Sequence, residues 1–199
     1  TTGLFDPIVA GPGTHILRYK FTSAFGCVDS TSQQITVLRA PDALFASSTP
    51  ACEKQVVNFS EASTSVDGTL SNWAWNFGDG TPLLLVNSPA TVSHIYNVAG
   101  NYTASLMVTT SVGCNSLAIQ QLVNVSALPR PDFSLPASVC LPAASVSFNN
   151  LSTIADGTEN SFTYLWNFGD AASGANNTST GKNPTHIYGL TGPYNVTLR

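Results

Sequence analysis

Trp73-Ala74-Trp75-Asn76-Phe77-Gly78-Asp79-Gly80 decides the fold, because large aromatics alternate with small or polar residues and then stop at an aspartate between two glycines. A period of two places Trp73, Trp75 and Phe77 on one face of a strand and Ala74 and Asn76 on the other. So large an aromatic face belongs in a core. Gly78 and Gly80 give the backbone freedom for a turn, in which the Asp79 carboxylate can accept a backbone N–H.

The stretch occurs twice. Tyr164-Leu165-Trp166-Asn167-Phe168-Gly169-Asp170 repeats it, with Trp166 standing 91 residues after Trp75. His94-Ile95-Tyr96 returns as His186-Ile187-Tyr188 at an offset of 92, Asp67-Gly68-Thr69 as Asp156-Gly157-Thr158 at 89, and Pro41-Asp42 as Pro131-Asp132 at 90. Four landmarks at nearly one offset indicate tandem domains. A period of about 90 residues exceeds solenoid repeats and suits a β-sandwich that folds as a unit.

Composition agrees. Only 9% of the 199 residues are charged while 43% are hydrophobic, which is not a disordered composition. A net charge of −4 with seven unclustered basic residues offers no footprint for phosphate backbones or anionic lipid, so nucleic acid is excluded as a partner. Leu83-Leu84-Leu85-Val86 is far short of the ~20 apolar residues of a membrane span, and no membrane insertion is expected. Abundant Thr, Val, Gly and Pro without a helix-period stripe predict an all-β chain with almost no helix.

The order Trp-Asn-Phe-Gly-Asp-Gly, then His-Ile-Tyr, then Gly100-Asn101-Tyr102 opening an alternating strand, resembles the PKD (polycystic kidney disease) domain, an immunoglobulin-like sandwich, over residues 40 to 199. The family motif reads W-D-F-G-D-G, so Asn76 and Asn167 depart from it, and Ala171 replaces the last Gly. The resemblance implies tandem Ig-like β-sandwiches, which the short proline-bracketed junction at 127–131 is expected to arrange end to end. Residues 1–39 read as the C-terminal strands of a truncated Ig-like domain, 40–127 as a complete PKD-like domain, and 128–199 as one lacking its last strand. Seven strands are expected in the complete domain, at 42–47, 55–60, 72–77, 82–87, 91–96, 102–109 and 118–125. The proline-bracketed junction Ala127-Leu128-Pro129-Arg130-Pro131 predicts a stiff connector, and the polar insertion 171–182 predicts the loosest segment. Within residues 1–39, Phe5-Asp6-Pro7, Gly11-Pro12-Gly13-Thr14, Tyr19 and Gly26-Cys27 resemble Ig-like repeats of giant surface proteins in gliding Bacteroidota.

Cys27, Cys52, Cys114 and Cys140 form no C-x-x-C, and in an extracellular-type composition they are disulfide candidates. Cys52 and Cys140 precede the second strand of their domains, and Cys27 and Cys114 sit in the hairpin before the last. In an Ig-like topology those loops lie ~20 Å apart, at ~3.3 Å per strand residue, against the ~7 Å between Cα atoms that a disulfide tolerates. Both an intradomain Cys52–Cys114 bond and interdomain staples to cysteines outside these residues stay open. On either pairing Cys27 and Cys140 have no partner within the chain.

Chemistry has few candidates. His94 and His186 occupy one repeat position and read as structural, together with Trp75, Phe77, Asp79, Tyr96, Trp166, Phe168, Asp170 and Tyr188. Asp67, Asp79, Asp156 and Asp170 recur singly at turns, too few oxygens for a calcium ion that needs six to eight. No nucleophile elbow, metalloprotease pattern or recurring carboxylate pair is present, so no catalytic, cofactor or metal residue is assigned. The expected function is a non-catalytic structural or adhesive repeat segment, a stalk or spacer, of a large secreted or cell-surface protein. Its partners are neighbouring domains of the same chain, with surface glycans or proteins as further candidates. The competing reading is an accessory or substrate-binding module of a secreted protease or polysaccharide hydrolase, since PKD-like domains sit beside such enzymes.

Overall fold

The alternation around Trp75 does become a strand, in a computed structural model that describes residues 3–142 and 144–199. The described residues begin with a single helical turn, α1 (Pro7–Ala10), in keeping with the expectation of almost no helix. Asp6 caps it, Oδ1 accepting the Ile8 N–H at 2.9 Å, and Pro7 fills the first helical position, where its missing N–H costs nothing. The other helical pieces described are 3-10 turns at 159–161 and within 171–177, the latter interrupted by a kink at Gly174.

The strands β1 (Gly13–Thr22) and β2 (Val28–Val37) form an antiparallel hairpin paired from Gly13↔Val37 to Thr22↔Val28. Facing pairs share a side, so Leu17, Tyr19, Phe21 and Ile35 lie on one face, and all four are exposed. Arg39 follows. Its backbone N–H and its guanidinium Nε and Nη2 all donate to the Asp67 carboxylate, at 2.7, 3.0 and 3.1 Å. The guanidinium's hydrogen bond and the backbone N–H hold Asp67 below the usual carboxylate range.

The first repeat runs through β3 (Phe45–Ser47), β4 (Ala51–Cys52), β5 (Val56–Glu61), β6 (Leu70–Asn76), β7 (Leu84–Val86), β8 (Val92–Ile95), β9 (Gly100–Thr110) and β10 (Ile119–Ser126). One sheet has the order β3-β5-β8 and the other β4-β10-β9-β6-β7. Each of the seven expected strands has a counterpart here; the strand at Ala51–Cys52 was not foreseen. It pairs parallel with the end of β10, Val125 opposite Ala51 and Ser126 opposite Cys52, so the chain passes from one sheet to the other between β3 and β4. Between the sheets lie Phe45, Val57, Phe59, Trp73, Trp75, Phe77, Leu106, Val108 and Val123, all buried. Phe45 meets Trp75 edge-on, with centroids 5.1 Å apart, the geometry that aromatic quadrupoles favour.

The second repeat comprises β11 (Phe133–Ser134), β12 (Ala144–Ser147), β13 (Asn149–Asn150), β14 (Trp166–Asn167), β15 (Thr178–Ser179), β16 (Thr185–Tyr188) and β17 (Thr197–Leu198). β11 pairs with β13, β12 with β16, and β14 lies between β15 and β17. The register repeats: Trp166 faces Leu198 as Trp75 faces Leu106. Its core gathers Ala144, Val146, Phe148, Trp166, Phe168 and Tyr188.

The insertion at 171–182, expected to be the loosest segment, buries no residue over 171–177 but is hydrogen-bonded to the tryptophan strand. The Trp166 indole Nε1–H donates to the Gly181 carbonyl at 2.9 Å, the Phe168 N–H to the Asn177 carbonyl at 2.9 Å, and the Asp170 N–H to Asn177 Oδ1 at 2.6 Å. These hydrogen bonds tie the segment to the tryptophan strand. The first repeat has no such segment, and the buried indole N–H groups of Trp73 and Trp75 lack a hydrogen-bond partner.

Candidate functional site

The recurring motifs converge at the end of the tryptophan strand. β6 leads through Phe77 into Gly78, whose φ of +77° suits glycine, and a Cβ there would collide with the backbone of Thr103. Gly169, at φ +72°, meets the Asn195 backbone in the same way. Both glycines are therefore required twice, by conformation and by close approach to the neighbouring strand. Asn76 and Asn167, the departures from the family motif, accept the Gly78 and Gly169 N–H groups through Oδ1, each at 2.9 Å. An asparagine carbonyl makes the same turn bond an aspartate would make, without the charge.

The turn delivers Asp79 to His94. Asp79 Oδ1 accepts the Thr81 N–H at 3.1 Å and its hydroxyl at 2.6 Å, and Oδ2 accepts His94 Nε2–H at 2.7 Å. The imidazole lies flat on Phe77, 4.0 Å between centroids and 7° between planes. In the second repeat His186 Nε2 stands 3.1 Å from Asp170 Oδ2 and stacks on Phe168 at 4.5 Å. The adjacent Tyr188 hydroxyl donates to the Phe168 carbonyl at 3.0 Å. Side-chain exposure is 14% for His94 and 13% for Asp79, and 4% for His186 and 10% for Asp170, so both pairs are largely shielded from water.

Burial pushes the Asp79 carboxyl up, and the hydrogen bonds from Thr81 and His94 outweigh it, leaving the group below the usual carboxylate range. Burial raises the Tyr188 phenol, helped by the nearby Asp170 charge.

This arrangement ties the turn after the tryptophan strand to the histidine strand. The Thr81 hydroxyl donates to the same carboxylate and so belongs to the turn. The sequence marks Asp79 as a turn cap and His94 as structural without joining them. The recurrence itself is visible, with 15 residues from Asp79 to His94 and 16 from Asp170 to His186, but that spacing alone does not join the two side chains. Trp75, Phe77, Tyr96, Trp166, Phe168 and Tyr188 are buried. The recurring Asp67 and Asp156 are not equivalent: Asp67 takes Arg39, and Asp156 caps the N–H and hydroxyl of Thr158. Among the described residues no group of three or more His, Cys, Asp or Glu could hold a metal ion.

The four cysteines are free thiols, so the disulfide expectation has no bond in this structure. Cys52, expected just before the second strand, pairs on β4 opposite Ser126, the last residue of β10, and Cys114 lies in the turn before that strand begins. Eight strand residues at ~3.3 Å each keep them apart, far beyond the ~7 Å a Cys52–Cys114 bond would allow.

Solved structures resemble parts of the chain. The PKD1 domain of the Vibrio cholerae metalloprotease PrtV is 26% identical, with 44% of this chain and 98% of that one covered at a TM-score of 0.37. The PKD1 domain of Vibrio anguillarum Epp is 31% identical over the same shares, at 0.36. A structure of carbohydrate-binding modules from the β-sandwich superfamily is 15% identical over 81% of this chain and 83% of its own, at 0.41. The PKD domain model matches residues 38–125 and again residues 127–199. With both repeats matched, the chain belongs to the PKD domain family.

Proposed function

We propose that this chain is a non-catalytic stalk or spacer segment of a large secreted or cell-surface protein, of the kind found in gliding Bacteroidota. The observation that carries the reading is the direction in which the repeated residues point. Trp75 and Trp166 are fully buried, Phe77 and Phe168 nearly so, and each Asp–His pair closes on its own turn. The residues shared by the two copies thus maintain the fold and leave the outer surfaces free to differ, which is what a spacer requires. Burial of all three tryptophans also removes the aromatic platform that a carbohydrate-binding accessory module would draw from this strand.

The test has two arms. Antibodies raised against the purified chain should label intact cells without permeabilisation, and the chain should leave peptide and polysaccharide substrates intact. Turnover abolished by His94→Ala or Asp79→Ala, or labelling that appears only after lysis, would overturn the reading.

A further inference from the structure

One tripeptide occurs in three different surroundings. Asp67-Gly68-Thr69, Asp79-Gly80-Thr81 and Asp156-Gly157-Thr158 present the same groups in the same order, a carboxyl, an unhindered glycine N–H and a threonine hydroxyl. Two of them also share their local bonding: Asp156 Oδ1 accepts the Thr158 N–H at 3.1 Å and its hydroxyl at 2.7 Å, as Asp79 Oδ1 does from Thr81. The more distant partners differ. Asp79 Oδ2 takes His94, and Asp67 takes the Arg39 backbone N–H together with Nε and Nη2 of its guanidinium. Asp156 is in none of the ion pairs among the described residues. Asp156 and Gly157 are both exposed, whereas the Asp67 and Asp79 side chains keep only 21% and 13% of their exposure.

We propose that Asp156-Gly157 is a site of spontaneous covalent modification, isomerising through a cyclic imide to isoaspartate, while the groups bound to Asp67 and Asp79 protect the other two steps. The Gly157 nitrogen attacks Asp156 Cγ, and a C–N bond forms as the Cγ–OH bond breaks. The hydroxyl leaves as water with the amide proton. Water then opens the ring at either carbonyl. Opening at Cγ restores aspartate; opening at the main-chain carbonyl breaks the original peptide bond and leaves the chain running through Cβ and Cγ, one methylene longer, with a free α-carboxylate. One water is lost and one regained, so the mass is unchanged and no further reactant enters. Glycine favours ring closure because it has no side chain to obstruct its nitrogen and the freest backbone. Hydroxide is a poor leaving group, so the carboxyl reacts as the neutral acid, and a donor that holds it ionised slows the reaction. The Arg39 guanidinium does so at Asp67; at Asp79 burial works the other way, and Thr81 and His94 outweigh it. The product loses the Asp156 cap on Thr158, whose carbonyl accepts the Ser161 N–H at 2.9 Å, so the modification loosens the 3-10 turn at 159–161.

The full chain should be aged at mildly acidic pH, both native and in urea concentrated enough to unfold it, and isoaspartate at each step measured by peptide mapping with electron-transfer fragmentation. In the native chain it should accumulate at Asp156 at least ~3-fold faster than at Asp67 or Asp79, because a carboxyl held lower by one pH unit presents about tenfold less neutral acid. In urea the three rates should converge, since the tripeptides are identical and their partners are gone. Arg39→Gln, at an exposed position, should raise the rate at Asp67 severalfold and leave that at Asp156 unchanged. The isoaspartate form, once separated, should exchange its 158–161 amides faster than the parent chain. Native rates that are equal, or highest at Asp67 or Asp79, would overturn the proposal. So would an ordering that survives in urea, because local sequence and not the fold would then set it, or an Asp67 rate indifferent to Arg39→Gln. Unaltered exchange at 158–161 would overturn the effect on the turn.

Discussion

Replacing Asp79 by Ala tests the clamp between the tryptophan turn and the histidine strand. The carboxylate accepts three hydrogen bonds, which do not weigh equally. Thr81 is exposed, so its N–H and hydroxyl regain water when the carboxylate goes, and their loss costs little. His94 is largely buried, and its stranded Nε2–H carries a desolvation penalty of about 1–3 kcal/mol. With the turn bonds added, destabilisation should reach about 2–3 kcal/mol, or a fall in Tm of roughly 10 °C or more for a domain of this size. Urea unfolding read by hydrogen exchange at β6 and β8 amides isolates the first repeat. A double-mutant cycle with His94→Ala should return a coupling of about 1–2 kcal/mol. The pH dependence has a definite sign. Asp79 is held below its ordinary value in the folded state, so its stabilisation is full above the unfolded pKa, about 3.9, and is lost as pH falls through the lower folded value. The gap between wild type and Asp79→Asn should therefore narrow as pH falls below about 4. A coupling under about 0.3 kcal/mol, or a gap unchanged at pH 3, would refute the clamp.

Other outcomes follow from the same geometry. Trp75→Ala should cost about 3–5 kcal/mol in chemical denaturation, as the loss of a fully buried aromatic. Gly78→Ala and Gly169→Ala should each cost more than about 2 kcal/mol, because positive φ and backbone collision act together; near-neutral effects would show that the turns can shift. Trp166→Phe breaks the bond to Gly181 and should speed amide exchange across 171–182, whereas Trp75→Phe removes an N–H that has no partner, so its cost should be confined to lost packing.

The paired folds were legible because they rest on short-range patterns that occur twice. Alternation at Trp73–Phe77 required a half-buried strand, the glycines required a turn, and a common offset of about 90 residues required two copies. Periodicity says which side of a strand is buried and nothing about what it meets, so the partnership of Asp79 with His94 had to wait for the two sheets to close. Likewise, no local signal in Ala51-Cys52 announces a parallel strand, since its partner is more than seventy residues away at Val125-Ser126. The insertion at 171–182 looked loose because its composition is polar, and burial is what composition reports. Its order comes from hydrogen bonds to Trp166, Phe168 and Asp170, a tertiary matching of donors and acceptors.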